Sequence, residues 1–227
     1  MKALLFDMDG VLVDVTHSYR KAIQQTVEFF TQQTVPPSEI QLYKNRGGLN
    51  NDWDLTQVIL QERGFRLDKA AVIDVFQQAY LGRDFDGLIT EERWMLSPDI
   101  QHKLRAAFSL GIVTGRPRRE AAYVLQRFGK QRVFPVLICM EDVPPGKGKP
   151  DPSGIGLAMA RLEAAQGFYA GDTVDDMHAA RGAGLIPVGV IAPGIAEADR
   201  ARQGEILRSA GAQVVVDDVN DLGEVLI

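Results

Sequence analysis

KALLFDMDGVLVD, residues 2–14, opens with a short apolar run, Ala3 to Phe6, that ends in two aspartates one residue apart, Asp7 and Asp9. Gly10 lets the chain turn before a second apolar run, Val11 to Val13. Four to eight apolar residues stopped by a turn signal suit a central strand of a parallel sheet, buried on both faces. Ligands in open α/β sheets collect outside the carboxyl ends of the strands, so Asp7 and Asp9 are expected at a binding edge. Two carboxylates so close repel. The arrangement asks for a cation or a shared proton, and a hard, oxygen-liganded ion such as Mg2+ suits it best.

Further along, the same strand-then-loop pattern recurs. Ser97 is placed to cap a helix with Pro98 in its first turn. The helix leads into a strand, Phe108 to Val113, that ends at Thr114-Gly115. A helix over 117–128, a strand from Val136 to Met140 and a Pro- and Gly-rich loop from Val143 to Pro152 follow. Then come a helix over 153–165, a strand from Gly167 to Ala170 ending at Gly171-Asp172, and a helix to Arg181. A strand from Pro187 to Ile191, a polar helix over 195–209 and a last strand, Gln213 to Val216, complete the alternation. Strands alternating with helices predict an α/β fold, a parallel sheet with helices on both faces.

Residues 15–91 interrupt that pattern with helix and loop alone. Tyr19, Ala22, Ile23, Val27 and Phe30 recur at helical spacing until Pro36-Pro37. Ser38 with Gln41 reads as a capping box for a short helix. Asp52 is the expected cap of the next, where Leu55, Val58 and Ile59 share a face. After Asp68 the residues Ala71, Val72, Val75, Phe76, Ala79 and Tyr80 line one side of a fourth. The expected organisation is a core of residues 1–14 and 92–227 with an inserted all-helical domain over 15–91.

With 227 residues, 45% of them hydrophobic, the chain can bury one good core and a smaller appendage. The net charge of −5 provides no basic footprint, which argues against nucleic acid and leaves a small molecule as the default partner. The lone Cys139 lies in an apolar run and reads as an inert buried thiol. His17, His102 and His178 show no metal spacing. The first strand starts almost at Met1, and no apolar run reaches the roughly 20 residues that cross a bilayer. A cytoplasmic protein that does not engage membranes, monomer or homodimer, is expected.

DMDGVLVD, IVTGR, GKGKPDP and GDTVDDMHAARGAG, in that order at consecutive strand ends, resemble the four motifs of the haloacid dehalogenase-like hydrolase superfamily. The resemblance implies a Rossmann-like core. It implies Asp7 as the nucleophile that attacks phosphorus and Asp9 as the general acid and base. Thr114, with the neighbouring Gly115 backbone, is the implied holder of the phosphoryl oxygens, and Lys149 the cation offsetting charge between phosphate and nucleophile. Asp172 is the implied direct Mg2+ ligand, joined by Asp7 and the backbone carbonyl of Asp9. For Asp176, four residues after Asp172, the resemblance implies a role through water or in orienting the lysine. Asp175 stands where the family varies and reads as second to the ligands or solvent-facing. Lys147 competes with Lys149, which the following Pro150 and Pro152 favour. Arg116, Arg118 and Arg119 either meet a second acidic group on a substrate or form a solvated helix start.

Dehalogenases of this fold do not need the acid at Asp9, because halide leaves without a proton; its presence favours phosphoryl transfer. The 15–91 insertion resembles the small helical cap of the subfamily that contains phosphoglycolate phosphatases and β-phosphoglucomutases. The expectation is a Mg2+-dependent phosphatase of a small phosphorylated metabolite. A sugar phosphomutase is the alternative enzyme, and a non-catalytic binding protein the alternative class. Within the cap, KNRGGLNNDW, residues 44–53, breaks the helical pattern. Arg46 is placed to pair with a substrate acid, Gly47 to permit a close backbone approach, and Asn50 to hydrogen-bond a hydroxyl. The competing reading is an ordinary interhelix loop.

Overall fold

The computed structural model describes residues 2–227. The chain divides into two compact units, Met1–Val13 with Trp94–Ile227, and Asp14–Arg93. The first contains a six-stranded parallel sheet built from β1 (Ala3–Phe6), β4 (Ser109–Val113), β5 (Val136–Ile138), β6 (Gly167–Gly171), β7 (Ile186–Val190) and β8 (Val214–Val216), in the order β5-β4-β1-β6-β7-β8. Two-residue strands β2 (Val13–Asp14) and β3 (Arg93–Trp94) mark where the chain leaves this unit and returns. Among the described residues no helix is long and apolar enough to cross a membrane.

β1 sits at the centre because it can be buried on both faces: Ala3, Leu4, Leu5 and Phe6 are all fully inaccessible. Its register pairs Phe6 with Ile112 on one side and with Ala170 on the other. That alignment brings Asp7, Thr114 and Asp172 to one rim. The chain runs outward from β1 through β4 to β5, then resumes at β6 on the opposite side. The reversal places the switch point, where such sheets bind ligands, at the carboxyl end of β1. Helices α7 (Ser153–Arg161) and α8 (Val174–Gly182) contribute Ile155, Ala158, Ala179 and Ala180 to a core with Leu5, Val113, Ile138 and Tyr169. Leu207 of α9 (Glu197–Ala210) packs with Met177 and Ile191 in a second cluster. Helices α5 (Pro98–Ala107) and α6 (Arg118–Arg127) and a short α10 (Leu222–Val225) complete the unit.

The second unit is all helix around the pattern of apolar spacing: α1 (Tyr19–Thr31), α2 (Pro37–Asn45), α3 (Asp52–Glu62) and α4 (Lys69–Tyr80). Ile23 and Val27 of α1 are buried, as are Leu55 and Ile59 of α3 and Val72 and Phe76 of α4. Tyr19 stacks on Tyr80 with ring centroids 4.1 Å apart. Glu92, 2% exposed, accepts hydrogen bonds at Oε1 from the Ser18 and Tyr80 hydroxyls, both at 2.9 Å. Ser18 and Glu92 stand near the two ends of the unit, which are thereby tied to each other.

Two capping expectations fail for local reasons. α2 starts at Pro37, whose fixed φ and missing N–H suit the first helical position, and Ser38 therefore caps nothing. α3 is capped by Asn51, whose side chain accepts from the Trp53 and Asp54 amides at 2.9 and 3.1 Å, while Asp52 is already the first helical residue and pairs with Lys44 at 2.8 Å. Asp68 and Ser97 cap α4 and α5 as expected. Asn51→Ala should cost about 1 kcal/mol in the unfolding of this unit, and Ser38→Ala less than about 0.5 kcal/mol. Denaturant titrations of the two variants check this, and the opposite ranking would overturn the assignment of the cap.

Candidate active site

The loop after β1 is shaped by Gly10. Its φ of +74° is a left-handed conformation, and a Cβ there would lie 2.4 Å from Asp172 Oδ2. Only glycine lets the turn pass so close to that carboxylate. The loop is closed by the Gly10 amide donating to Val13 O at 2.9 Å, and the Met8 amide donates to Asp7 Oδ1 at 2.8 Å. Asp7 is 4% exposed.

Lys149 occupies the centre. Its Nζ lies 2.9 Å from Asp7 Oδ1, 2.6 Å from Asp176 Oδ1 and 3.1 Å from the Tyr169 hydroxyl. That hydroxyl donates in turn to Val113 O at 3.0 Å. Lys147 is directed elsewhere, to Asp151 at 3.0 Å on the surface, so Lys149 is the lysine of this cluster. Asp176 is held from its other oxygen as well: Oδ2 accepts from the Thr173 amide at 3.0 Å and its hydroxyl at 2.7 Å, in a capping box at the start of α8. A Cβ on Gly171 would lie 2.3 Å from Asp176 Cβ, so β6 must end in glycine for the helix to begin here. Asp175 is buried, 2% exposed, which removes the solvent-facing reading.

Burial pushes the Asp7 carboxyl well above the usual carboxylate range; Lys149 pulls it back, while Asp176, Asp9 and Asp172 push it further up. Burial alone would lower the Lys149 ammonium, but Asp176 and Asp7 outweigh it and hold the group well above its ordinary value. The lysine is thus a fixed positive charge, and the acid beside it still lacks enough positive charge to be comfortable as an anion. Asp7, Asp172 and Asp176 each bring a carboxylate oxygen into a group spanning no more than 4.8 Å. All three are buried, and an all-oxygen set fits a hard divalent ion better than a thiolate- or imidazole-seeking one. The space that Gly10 leaves beside Asp172 fits the same use.

Thr114 ends β4, 5% exposed; its amide donates to Ile138 O at 2.9 Å and its Oγ1 accepts from the Arg116 amide at 3.2 Å. The hydroxyl proton therefore points away from that donor and can serve an oxygen anion. Gly115 beside it is exposed. The Asp9 carboxylate pairs with Arg116, whose Nε donates to Asp9 Oδ1 at 2.6 Å with Nη2 on the same oxygen. The Arg116 side chain is completely buried, which overturns the expectation of a solvated helix start for this residue. In the sequence it stands in one basic cluster with Arg118 and Arg119. The signal that separates it is position: Arg116 still belongs to the strand-end loop, before Pro117. Arg118 begins α6, its amide donating to the Glu141 carboxylate at 2.9 and 3.1 Å and its guanidinium to Asp142. Arg119 is exposed. Tyr169 was also missed, hidden in what reads as an ordinary buried strand.

The residues expected to select the substrate lie in the inserted unit. Arg46, half-exposed, pairs with Glu62 at 2.9 Å and lies 4.3 Å over the Tyr43 ring. The Tyr43 hydroxyl donates to Glu62 at 2.6 Å, and burial together with Glu62 pushes the phenol up to about 12. Gly47 and Gly48 both have φ of +75°. Asn50 is partly exposed in the loop before α3. Cys139 is buried and its thiol is pushed up to about 12 by desolvation, which makes it inert. His17, His102 and His178 are exposed.

The family described as haloacid dehalogenase-like hydrolase matches residues 1–184. An imidazoleglycerol-phosphate dehydratase of Phytophthora nicotianae is 35% identical over the whole of this chain, which spans only 52% of that protein's length. A validoxylamine A 7'-phosphate phosphatase of Streptomyces hygroscopicus subsp. limoneus is 30% identical over 87% of this chain and 91% of its own. Among solved structures, a conserved haloacid dehalogenase-like protein of unknown function from Agrobacterium tumefaciens superposes with a TM-score of 0.77 at 20% identity, covering 100% of this chain and 97% of that one, and supports the fold. The chain belongs to the haloacid dehalogenase-like hydrolase family and is an enzyme of its phosphatase type.

Proposed function

We propose that this enzyme is a Mg2+-dependent phosphatase that hydrolyses a small phosphate monoester through an aspartyl phosphate on Asp7. The observation that carries the reading is Lys149 held between Asp7 and Asp176 in the buried carboxylate group. An ammonium fixed at 2.9 Å from Asp7 Oδ1 holds the nucleophile in place while offsetting the charge of an incoming phosphate. Asp7 attacks phosphorus and the bond to the ester oxygen breaks, with Asp9 supplying the proton that the departing alkoxide needs. Water then attacks the acyl phosphate, Asp9 takes its proton, and Asp7 is regenerated. Thr114 and the Gly115 backbone hold the phosphoryl oxygens. Asp7, Asp172 and the backbone carbonyl of Asp9 would hold the metal, with Asp176 supporting, and the ion would neutralise charge on phosphate and nucleophile.

The residues of the core touch the phosphoryl group, so they do not distinguish one monoester from another. Discrimination is assigned to the inserted unit, acting as a cap, with Arg46, Gly47 and Asn50 as its contribution. The names of the relatives suggest which esters to try: phosphoglycolate, N-acetylmuramic acid 6-phosphate, validoxylamine A 7'-phosphate and imidazoleglycerol phosphate. Release of inorganic phosphate separates hydrolysis from transfer within a sugar. A nucleic-acid or membrane partner is not part of the reading.

Asp7→Asn keeps size and removes the attacking charge, and its kcat should fall about a thousandfold or more with an unchanged circular dichroism spectrum. More than about a tenth of wild-type turnover would sink the aspartyl-phosphate mechanism. Chelator should abolish phosphate release and added Mg2+ restore it, because the lysine alone leaves the acidic group under-neutralised; full activity in excess chelator contradicts the metal assignment. Arg46→Ala should lower kcat/KM for the physiological ester by about tenfold, the cost of a charge-assisted hydrogen bond, and leave a small aryl phosphate little affected. Equal loss on both, or on neither, assigns Arg46 to its contacts with Glu62 and Tyr43 alone.

A further inference from the structure

A buried guanidinium is expensive to desolvate, and an apolar side chain of similar size would fill the same space at lower cost. Arg116 is nevertheless completely buried, and its Nε and Nη2 both meet Asp9 Oδ1, the former at 2.6 Å. Its backbone is anchored on both sides, the amide donating to Thr114 Oγ1 at 3.2 Å and the carbonyl accepting from the Met140 amide at 3.0 Å. The guanidinium is therefore a fixed point. The Asp9 side chain, a quarter exposed, is the partner with room to rotate, and its orientation is set by the pair.

We propose that Arg116 is a positioning residue for Asp9: it pins Oδ1, so that Oδ2 is the oxygen that exchanges protons with the leaving group and with water. The inference rests on the assignment of Asp9 as general acid and base. With Oδ1 already accepting two N–H groups, a proton carried by Asp9 resides on Oδ2. When the phosphorus–oxygen bond of the ester breaks, its electron pair goes to the ester oxygen and the Oδ2 proton follows it. Asp9 is left as a carboxylate whose Oδ1 is still held. In the second step Oδ2 takes a proton from the water that attacks phosphorus, and the bond between phosphorus and Asp7 breaks. Without Arg116 the Asp9 side chain changes χ1 rotamer and its carboxylate turns freely about χ2, and the proton is delivered from the right place only part of the time.

The test compares kcat/KM for 4-nitrophenyl phosphate, whose leaving group departs without help, with kcat/KM for a simple alkyl phosphate, whose alkoxide needs a proton. Taking the aryl-to-alkyl ratio within one preparation cancels any difference in folded fraction. The ratio should rise about tenfold or more in Arg116→Gln and in Asp9→Asn, with no further rise in the double variant, and Arg116→Lys, with one donor nitrogen in place of two, should fall between. Added guanidinium should lower the ratio of Arg116→Ala toward that of wild type, while equal sodium chloride should not. A ratio in the Arg116 variants within about threefold of wild type, beside a raised ratio in Asp9→Asn, overturns the role of Arg116 and leaves Asp9 as the acid. A ratio unmoved in Asp9→Asn overturns the acid–base assignment itself, and with it this inference. A ratio raised by Arg116→Gln but not by Asp9→Asn also overturns it, since the arginine would then act on the leaving group directly.

Discussion

One ammonium between two buried carboxylates governs how this molecule is put together. Lys149 reaches Asp7 on one side and Asp176 on the other, and each of the three comes from a different part of the chain: the end of β1, the loop before α7, and the first turn of α8. Removing any one partner of such a buried set strands a charge, at a cost of about 3–5 kcal/mol. The ends of β1 and β6, the glycines that let the chain pass, and the capping box on Thr173 all serve to bring these groups within contact distance. Site and fold are in that sense the same problem in electrostatics, and the sheet is its scaffold.

The framework was legible because burial leaves a mark in composition. β1, β4, β6 and β7 are apolar runs with a turn signal behind each, and a strand buried on both faces has no other way to be written. The site was legible for the same reason: acids and a threonine at the ends of apolar runs are conspicuous, and the motif order assigns them to one rim. What escaped was anything decided by a choice between equivalent neighbours. Asn51 and Asp52 both cap well, and only backbone geometry shows which stands one residue outside α3. Ser38 has the side chain of a cap, but Pro37 starts the helix ahead of it. Two-residue strands such as β2 and β3 are too short to carry a period.

Arg116 escaped for a different reason. An arginine beside a proline at a helix start is ordinarily solvated, and nothing local says that this one is folded inward against an acid 107 residues away. Long-range ion pairs leave no periodicity, so a sequence read one window at a time misses them. Tyr169 is similar: its ring fits the strand pattern, and its hydroxyl, which bridges Lys149 and Val113 O, is invisible to any hydrophobicity count. The polar half of an amphipathic side chain is where a pattern-based reading is weakest.

The tie between Ser18 and Glu92 has a bearing on how such an enzyme is assembled. With the two ends of the helical insertion fastened to each other through Glu92 and Tyr80, the parent sheet experiences the whole unit as if it were a short loop. The entropic penalty of closing a connection grows only logarithmically with its length, and a connection whose ends are already joined adds almost nothing to it. An insertion of this kind can lengthen, shrink or be exchanged for another without disturbing the registers of β1. One sheet can in this way carry many alternative insertions at the same point of its chain.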